Sequence, residues 1–400
     1  MESLKRGRRL AWLVIVFFLA WGAGFQPAIG SAQELRREGQ IQSVSGAVTA
    51  QSVGQDKPRP VSQGDLVYAQ DRVVSGPNGK AQIKLDDGSL ITLQPSSRIQ
   101  ILDSRANARH SSSLLLLKGW LQALVAPEEG ANLEVQTATV VAGVRATSFT
   151  VAGAADCSSR VAVEKGKVEV QGHSQGLTLV PNQQMTVELT DKPLAAQAYD
   201  PQTANWAGFL SERSRRLAKN ADHMAQEMDR ELERRHQRAV QAQQTLAKEF
   251  QGVERAAQEA EATKDQPEVY EGKLSALKQS LELNYSQARD LQHQDGYLIS
   301  CDEMLKQLIQ DVKEHPENYS AAARKRVAAL EAQVYARDVA GTHQATQATL
   351  DSYTSKLDAL VAKYELGREL QQREYFEKRQ QQEEEWLKKW REFQEQHRPR

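Results

Sequence analysis

Residues 80–102, KAQIKLDDGSLITLQPSSRIQIL, alternate apolar with polar residues, which is the period of a β-strand with one buried face. The alternating positions are Ile83, Leu85, Leu90, Thr92, Ile99 and Ile101. Asp87-Gly88 stands between two of these runs, where a tight hairpin needs residues that tolerate positive φ. The stretch therefore predicts short strands that share one buried face, with a hairpin turn at residues 87–88.

The same pattern extends over residues 64–172 and predicts an all-β part between residues 33 and 200. Pro77-Asn78-Gly79 precedes the first run and Lys165-Gly166 separates VAVE from KVEV, so both are predicted turns. The most apolar segment, LLLLKGWLQALVA at residues 114–126, is interpreted as a central strand pair covered on both faces. A sandwich, a barrel-like roll and a solenoid all suit short alternating strands, so the topology stays open.

Four short motifs in this stretch resemble, in order, those of the FecR domain, a family named after the regulator of iron-dicitrate transport. They are Asp87-Gly88-Ser89-Leu90, Lys118-Gly119-Trp120-Leu121, Ala146-Thr147-Ser148-Phe149 and EKGKVEV at residues 164–170. Two positions depart from the family pattern: Ala146 stands where a glycine is usual, and Lys165 is inserted before the glycine of the last motif. The resemblance covers a quarter of the chain and implies a role in binding or relaying signals at the cell envelope.

Residues 1–32 are typical of a secretory signal peptide, with an apolar core at residues 10–23 and a small-residue cleavage site at residues 30–32. The charged start consists of Lys5, Arg6, Arg8 and Arg9. An uncleaved membrane anchor is the alternative, but the apolar core is shorter than the ~20 residues that a spanning helix needs. We therefore expect an exported protein whose mature chain starts near Gln33 and which, if the cell is a Gram-negative bacterium, is located in the periplasm.

The composition changes after Pro201, where glycine and proline nearly vanish and Gln, Glu, Ala, Lys and Arg dominate. Apolar residues then recur at steps of three and four, which predicts long helices at about 203–262, 268–314 and 319–396. Short breaks between them favour antiparallel packing as a coiled-coil hairpin or bundle. The predicted fold class is therefore α+β: an N-terminal all-β domain followed by a helical region at residues 201–400.

The two cysteines, Cys157 and Cys301, allow two interpretations. They form a disulfide that pins the β-domain to the second helix, or they are independent thiols with Cys301 as a small core residue; we favour independent thiols because the sequence gives no distance. Trp120 is likewise either a core residue or a surface anchor for a partner, and we favour the core.

The C-terminal segment places Trp386, Trp390 and Phe393 at helical spacing beside charged residues. If this aromatic face is exposed, it is a docking surface for a protein or for the membrane interface. If it is packed, it closes the end of the helical bundle, which is the commoner outcome and the interpretation we favour.

No catalytic, nucleotide-binding or metal-binding motif is present, so the sequence predicts neither an enzyme nor a cofactor. A formal net charge of −1 gives no overall electrostatic reason to expect nucleic acid as a partner. We predict a non-enzymatic envelope protein whose FecR-like β-domain binds another envelope protein and whose coiled-coil rod mediates spacing or self-association.

Two alternatives remain open from the sequence. One is a membrane-anchored FecR-type signalling regulator, although only about nine residues precede the apolar core, too few for the cytoplasmic segment that sigma-factor control requires. The other is a cell-wall glycan-binding module that uses Trp120 as a sugar platform.

Overall fold

The computed structural model describes residues 36–55, 57–104, 112–125, 132–172, 175–190 and 193–364. Within these residues, a β-rich part precedes a part made of long helices, which confirms the predicted α+β class. The strands are β1 (Arg37–Ser45), β2 (Val48–Gln51), β3 (Arg59–Pro60), β4 (Leu66–Tyr68), β5 (Arg72–Ser75), β6 (Lys80–Leu85), β7 (Leu90–Leu93), β8 (Arg98–Leu102), β9 (Ser112–Leu124), β10 (Leu133–Gln136), β11 (Val141–Gly153), β12 (Ser159–Gln171), β13 (Gly176–Leu179), β14 (Gln183–Val187) and β15 (Gln197–Ala198).

The strands join into one hydrogen-bonded sheet that branches at β9 and again at β12. Its main path runs β15-β14-β12-β11-β10-β9-β7-β6-β1-β4, while β2, β3, β5, β8 and β13 lie off this path. The first half of β9 pairs with β8 and β10, and its second half pairs with β7 and β11. Apolar side chains from both arms, among them Ile83, Leu121 and Val161, form one core.

The predicted hairpin at residues 87–88 is confirmed, but the buried face of its second strand differs from the prediction. Gly88 has a φ of 87° between β6 and β7. Ile83 pairs with Ile91 across the hairpin, and both are fully buried, as is Leu93. Leu90, which we expected in the core, is half-buried. The register decides the face, and the run LITL is too uniformly apolar to reveal it.

The segment predicted as a central strand pair is a single strand, β9. A strand pair would need a reversal of the chain within this segment, but Gly119, with a φ of 90°, forms a bend inside one continuous strand. The pairing register of β9 with β8 shifts beside it, since Arg98 faces Lys118 and the next residue, Ile99, faces Leu116. A bulge is therefore what lets β9 change partners along its length.

The predicted turn at Lys165-Gly166 is also wrong, because β12 continues through it. Gly166 has a φ of 82° and lies opposite an irregularity in β11, where the pairing register shifts on both sides of Ser148. Ala146, at the position where the FecR pattern has glycine, has a φ of 49°. Positive φ is what glycine adopts without steric cost, so this bulge is a position that glycine would suit.

The helices are α1 (Trp206–Lys219), α2 (Ala221–Ala262), α3 (Pro267–Glu314) and α4 (Ala321–Ala336), with a 3₁₀ turn at Pro316–Asn318. Residues 339–364 are also helical. The expected first helix is thus two helices, because Asn220 leaves helical geometry and its side-chain amide donates to the Arg216 carbonyl at 3.1 Å. Residues 365–396 of the expected last helix lie outside the described residues.

The helical part is docked on the sheet near the middle of α3. Leu298, Cys301 and Leu305 of α3 pack with Met228 and Leu232 of α2, and the β-rich part contributes Ala138, Cys157 and Leu189 to the same apolar cluster. Further along, Phe250, Val253, Leu277 and Leu357 form a cluster of helical residues alone. Within the described ranges, none of the helices has both the length and the apolar composition of a membrane span.

Candidate functional site

A cleft of about 540 Å³ lies between one face of the sheet and the α2–α3 hairpin. Strands β11, β12 and β13 form its floor, and charged side chains of α2 and α3 form its roof. Because both parts of the chain contribute, the cleft exists only while the helices are docked. The lining includes Gly143, Glu169 and Thr178 on the floor and Arg235, Arg238 and Arg289 on the roof.

The floor is a row of cross-strand neighbours. Gly143 pairs with Glu134 of β10 on one side and with Glu169 of β12 on the other, and Glu169 pairs with Thr178 of β13. Directly opposed residues point to the same face of a sheet, so these positions form a line across the floor. A side-chain carbon built at Gly143 would meet no atom within 4 Å. The glycine therefore leaves open space above the floor.

Glu134, the cross-strand neighbour of Gly143, joins the sheet to α3 beside the cleft. Its Oε2 accepts from Arg289 Nε at 3.0 Å and Nη2 at 2.5 Å, and its Oε1 contacts His293 Nε2. The Glu134 side chain is only 7% exposed. Burial opposes its ionisation, but the charges and hydrogen bonds of His293 and Arg289 outweigh burial and hold the pKa of Glu134 below its ordinary value. Glu134 is therefore an ionised anchor for α3.

The roof presents guanidinium groups from α2. Arg235 donates from Nε to Glu231 Oε1 at 2.5 Å, and its guanidinium lies 4.3 Å from the centre of the Tyr297 ring. Burial is the main cause that raises the pKa of Tyr297, so its hydroxyl stays neutral. Arg238 lines the cleft one turn further along and is exposed. The roof therefore offers an exposed cation, while the floor offers the carboxylate of Glu169.

β13 borders the floor on its outer side. Among the strands of the described ranges it pairs with β12 alone, so the backbone groups of its other edge can receive a further strand. Gly176, Leu177 and Thr178 of this strand line the cleft. An extended peptide could therefore pair with β13 and place side chains inside the cleft.

A chain of side-chain hydrogen bonds forms a second link between the two parts. Gln100 donates to Gln70 at 2.5 Å, Gln70 donates to Gln347 at 2.7 Å, and Gln347 donates to Asp295 Oδ2 at 2.8 Å. His343 Nδ1 lies 2.8 Å from the same oxygen. Burial raises the pKa of Asp295 against these hydrogen bonds. The helices are thus fixed to the sheet by polar as well as apolar contacts.

Trp120, a candidate binding residue, is half-buried against α1. Its ring stacks on Trp206 with a centroid distance of 5.9 Å and an interplanar angle of 15°, and Tyr199 lies 6.2 Å from Trp206. Trp206 covers one face of the Trp120 indole, and that face cannot serve as a sugar platform. The other candidate aromatics, Trp386, Trp390 and Phe393, lie outside the described residues.

Cys157 and Cys301, the candidate disulfide, are both free thiols and lie together. Each is at most 1% exposed, and both belong to the apolar cluster at the junction of sheet and helices. The hydrogen bond from the Cys301 thiol, followed by burial, raises the pKa of the Cys157 thiol well above its ordinary value. The structure therefore shows that Cys157 and Cys301 are neighbours, which the sequence alone could not show.

Sequence reasoning missed Glu134, Arg289 and His293. Glu134 stands at the polar position of an alternating strand, LEVQ, which is the pattern of an exposed side chain, so no local signal pairs it with a distant helix. In the described ranges, no group of three His, Cys, Asp or Glu side chains is arranged to hold a metal ion.

Residues 71–169 match the family model described as FecR protein, which confirms the resemblance over that segment. Two crystal structures of a "putative anti-sigma factor" from Parabacteroides distasonis ATCC 8503 are also similar, at 23% sequence identity and a TM-score of 0.29. Each covers 33% of this chain, and the chain spans 61% of the length of each. No curated protein matches the chain significantly.

Proposed function

We propose that this chain is a FecR-type signalling regulator of the cell envelope, which works by binding another protein and not by catalysis. The observation that carries the proposal is the FecR match over residues 71–169. The matched segment runs from β5 into β12, so it supplies β11 and most of β12 to the floor of the cleft. The family segment therefore supplies part of the floor of the candidate binding site, while β13 and the roof lie outside that segment.

The partner segment that fits the cleft is an extended peptide with at least one carboxylate. The outer edge of β13 supplies main-chain hydrogen bonds for an added strand, and the exposed Arg238 supplies a cation on the roof. In this proposal the helices do more than hold parts of the protein apart, because α2 and α3 form one wall of the binding site.

Replacing Gly143 with tryptophan is expected to block the cleft while leaving the fold intact. The position has open space and no positive φ, so the indole fills the volume above the floor. We expect binding of the partner to weaken at least about tenfold, or 1.4 kcal/mol. The measurement is site-specific cross-linking in cells, followed by titration of the identified partner against the purified variant.

The matched control is Gly272→Trp, which adds the same side chain at an exposed glycine of α3 that also has no neighbour within 4 Å. A deletion strain complemented with each variant tests the signalling role by its transcript profile. We expect wild type and Gly272→Trp to restore the profile and Gly143→Trp to fail. Full restoration by Gly143→Trp would rule out the cleft, and an unchanged profile on deletion would rule out a regulator.

We further propose that the protein is exported and that its signal peptide is removed. Residues 1–32 carry the three regions of such a peptide. N-terminal sequencing of the protein from the exported fraction of cells is expected to give a start near Gln33. Recovery of the uncleaved chain in the membrane fraction would instead support an anchored regulator.

A further inference from the structure

We propose that Cys157 and Cys301 form a disulfide that joins the β-rich part covalently to helix α3. This goes beyond the proposed binding role, because it concerns the stability of the junction and not its ligand. The chain has two cysteines, so no third thiol competes for either partner.

Cys157 is held in position by a tight turn between β11 and β12. Its N–H donates to the Ala154 carbonyl at 3.0 Å, and the Ala154 N–H donates to the Ser158 carbonyl at 2.8 Å. The residue has a φ of 60°, and the adjacent Asp156 accepts from the Ser158 N–H at 3.0 Å. The backbone around the thiol is thus fixed by hydrogen bonds on both sides.

Cys301 approaches this turn from the middle of α3. The two thiols lie in one apolar cluster with Leu298, Leu305 and Met228, and the Cys301 thiol is near enough to raise the pKa of the Cys157 thiol. A disulfide requires a sulfur–sulfur distance of about 2.05 Å, so bond formation calls for rotation of the two side chains about their Cα–Cβ bonds. The two cysteines are therefore neighbours in the fold, although about a third of the chain separates them in sequence.

The bond forms by thiol–disulfide exchange with a small disulfide oxidant such as oxidised glutathione. One cysteine thiolate attacks the oxidant to give a mixed disulfide, and the second thiolate displaces the remaining oxidant thiol. The protein loses two S–H bonds and gains one S–S bond, while the oxidant is reduced to two thiols. Because both cysteines are buried, exchange requires local opening of α3 or takes place before α3 docks.

The test uses the full chain in a glutathione redox buffer, once under native conditions and once in concentrated urea. After alkylation of free thiols, intact mass spectrometry separates the reduced, glutathione-linked and internally bonded chains. The native contact gives a high effective concentration, so we expect the ratio of internal to glutathione disulfide to be at least roughly a hundredfold larger than in urea. The proposal would be overturned if this ratio were the same under native conditions and in urea. It would also be overturned if both cysteines of the native chain were found alkylated, because both thiols would then have stayed free.

Stability gives a second readout that does not depend on the rate of oxidation. Closing a loop of this length removes much of the entropy of the unfolded chain, so we expect the melting temperature to rise by roughly 5–10 °C on oxidation. The variants Cys157→Ser and Cys301→Ser cannot form the bond and should show no rise under oxidant. A fall in the melting temperature of the oxidised wild type would show that the bond distorts the native junction, which contradicts the proposal.

Discussion

The Gly119→Ala variant is expected to lose about 3–5 kcal/mol of unfolding free energy, because two costs add at this position. Its φ of 90° is strained for any residue with a side chain. An added carbon would also lie 2.6 Å from Ser97 Cα, a backbone atom that cannot rotate away. Gly119 lies in β9, which pairs with four other strands, so displacement there disturbs both arms of the sheet. Urea denaturation monitored by circular dichroism measures the loss.

Gly64→Ala separates the two costs. Gly64 has a φ of 91°, almost the same as Gly119, but an added carbon there meets nothing within 4 Å. It should therefore lose only the conformational part, about 1 kcal/mol. If both variants lose the same amount, the close approach of Ser97 is not what requires glycine in β9.

Glu134→Ala is expected to lower the free energy of unfolding by about 2–3 kcal/mol. Removing one partner of a fully buried ion pair costs about 3–5 kcal/mol, but Arg289 is 51% exposed and can turn to water, which reduces the cost. The measurement is denaturant unfolding, with protection of α3 amides from hydrogen exchange as a local readout. Glu259→Ala is the control, because its ion pair with Lys273 is exposed on both sides and its loss should hardly change stability.

The contribution of Glu134 depends on pH with a definite sign. Its pKa is lowered by folding from an ordinary value of 4.5, so the folded state binds the proton less readily than the unfolded state. The stabilisation that ionised Glu134 provides is fully present above pH 4.5. It is lost as the pH falls through the pKa that Glu134 has in the folded state. Glu134→Gln should remove this dependence, and the stability difference between wild type and variant should shrink towards acid pH. A difference that stays constant between neutral and acid pH would contradict an ionised Glu134.

Ionisation of Asp295 has the opposite effect on the free energy of unfolding. Burial raises its pKa from 3.8, so ionisation of Asp295 opposes folding where the pH exceeds the unfolded value. The acid response of the wild type therefore includes two opposed effects at this junction. The comparison with Glu134→Gln isolates the contribution of Glu134.

The strands and turns of the β-rich part could be predicted where the local sequence pattern is compatible with only one local structure. The hairpin at Asp87-Gly88 is such a case, since two alternating runs flank residues suited to positive φ. At other positions a glycine with positive φ is compatible with either a turn or a β-bulge. Gly119 and Gly166 both lie at bulges. The register with the neighbouring strand decides between them, and that register is a long-range property.

The candidate site could be predicted less well, because its parts are distant in sequence. The strand positions of Glu134 and Gly143 have no local property that identifies a cleft floor, and the roof arginines of α2 look like ordinary surface charges. The thiols show the same limit, since Cys157 and Cys301 were visible in the sequence but their contact was not. Docking of the helices on the sheet creates these features.

Because the helical hairpin is docked near the middle of α3, its far end extends well beyond the contacts with the β-rich part. Contacts with the β-rich part run from Arg289 to Glu303, whereas the turn between α2 and α3, at residues 263–266, lies roughly 35 Å away at about 1.5 Å per residue. A force applied at this distant turn would act on the Glu134 contact over that whole distance, and therefore with a long lever arm.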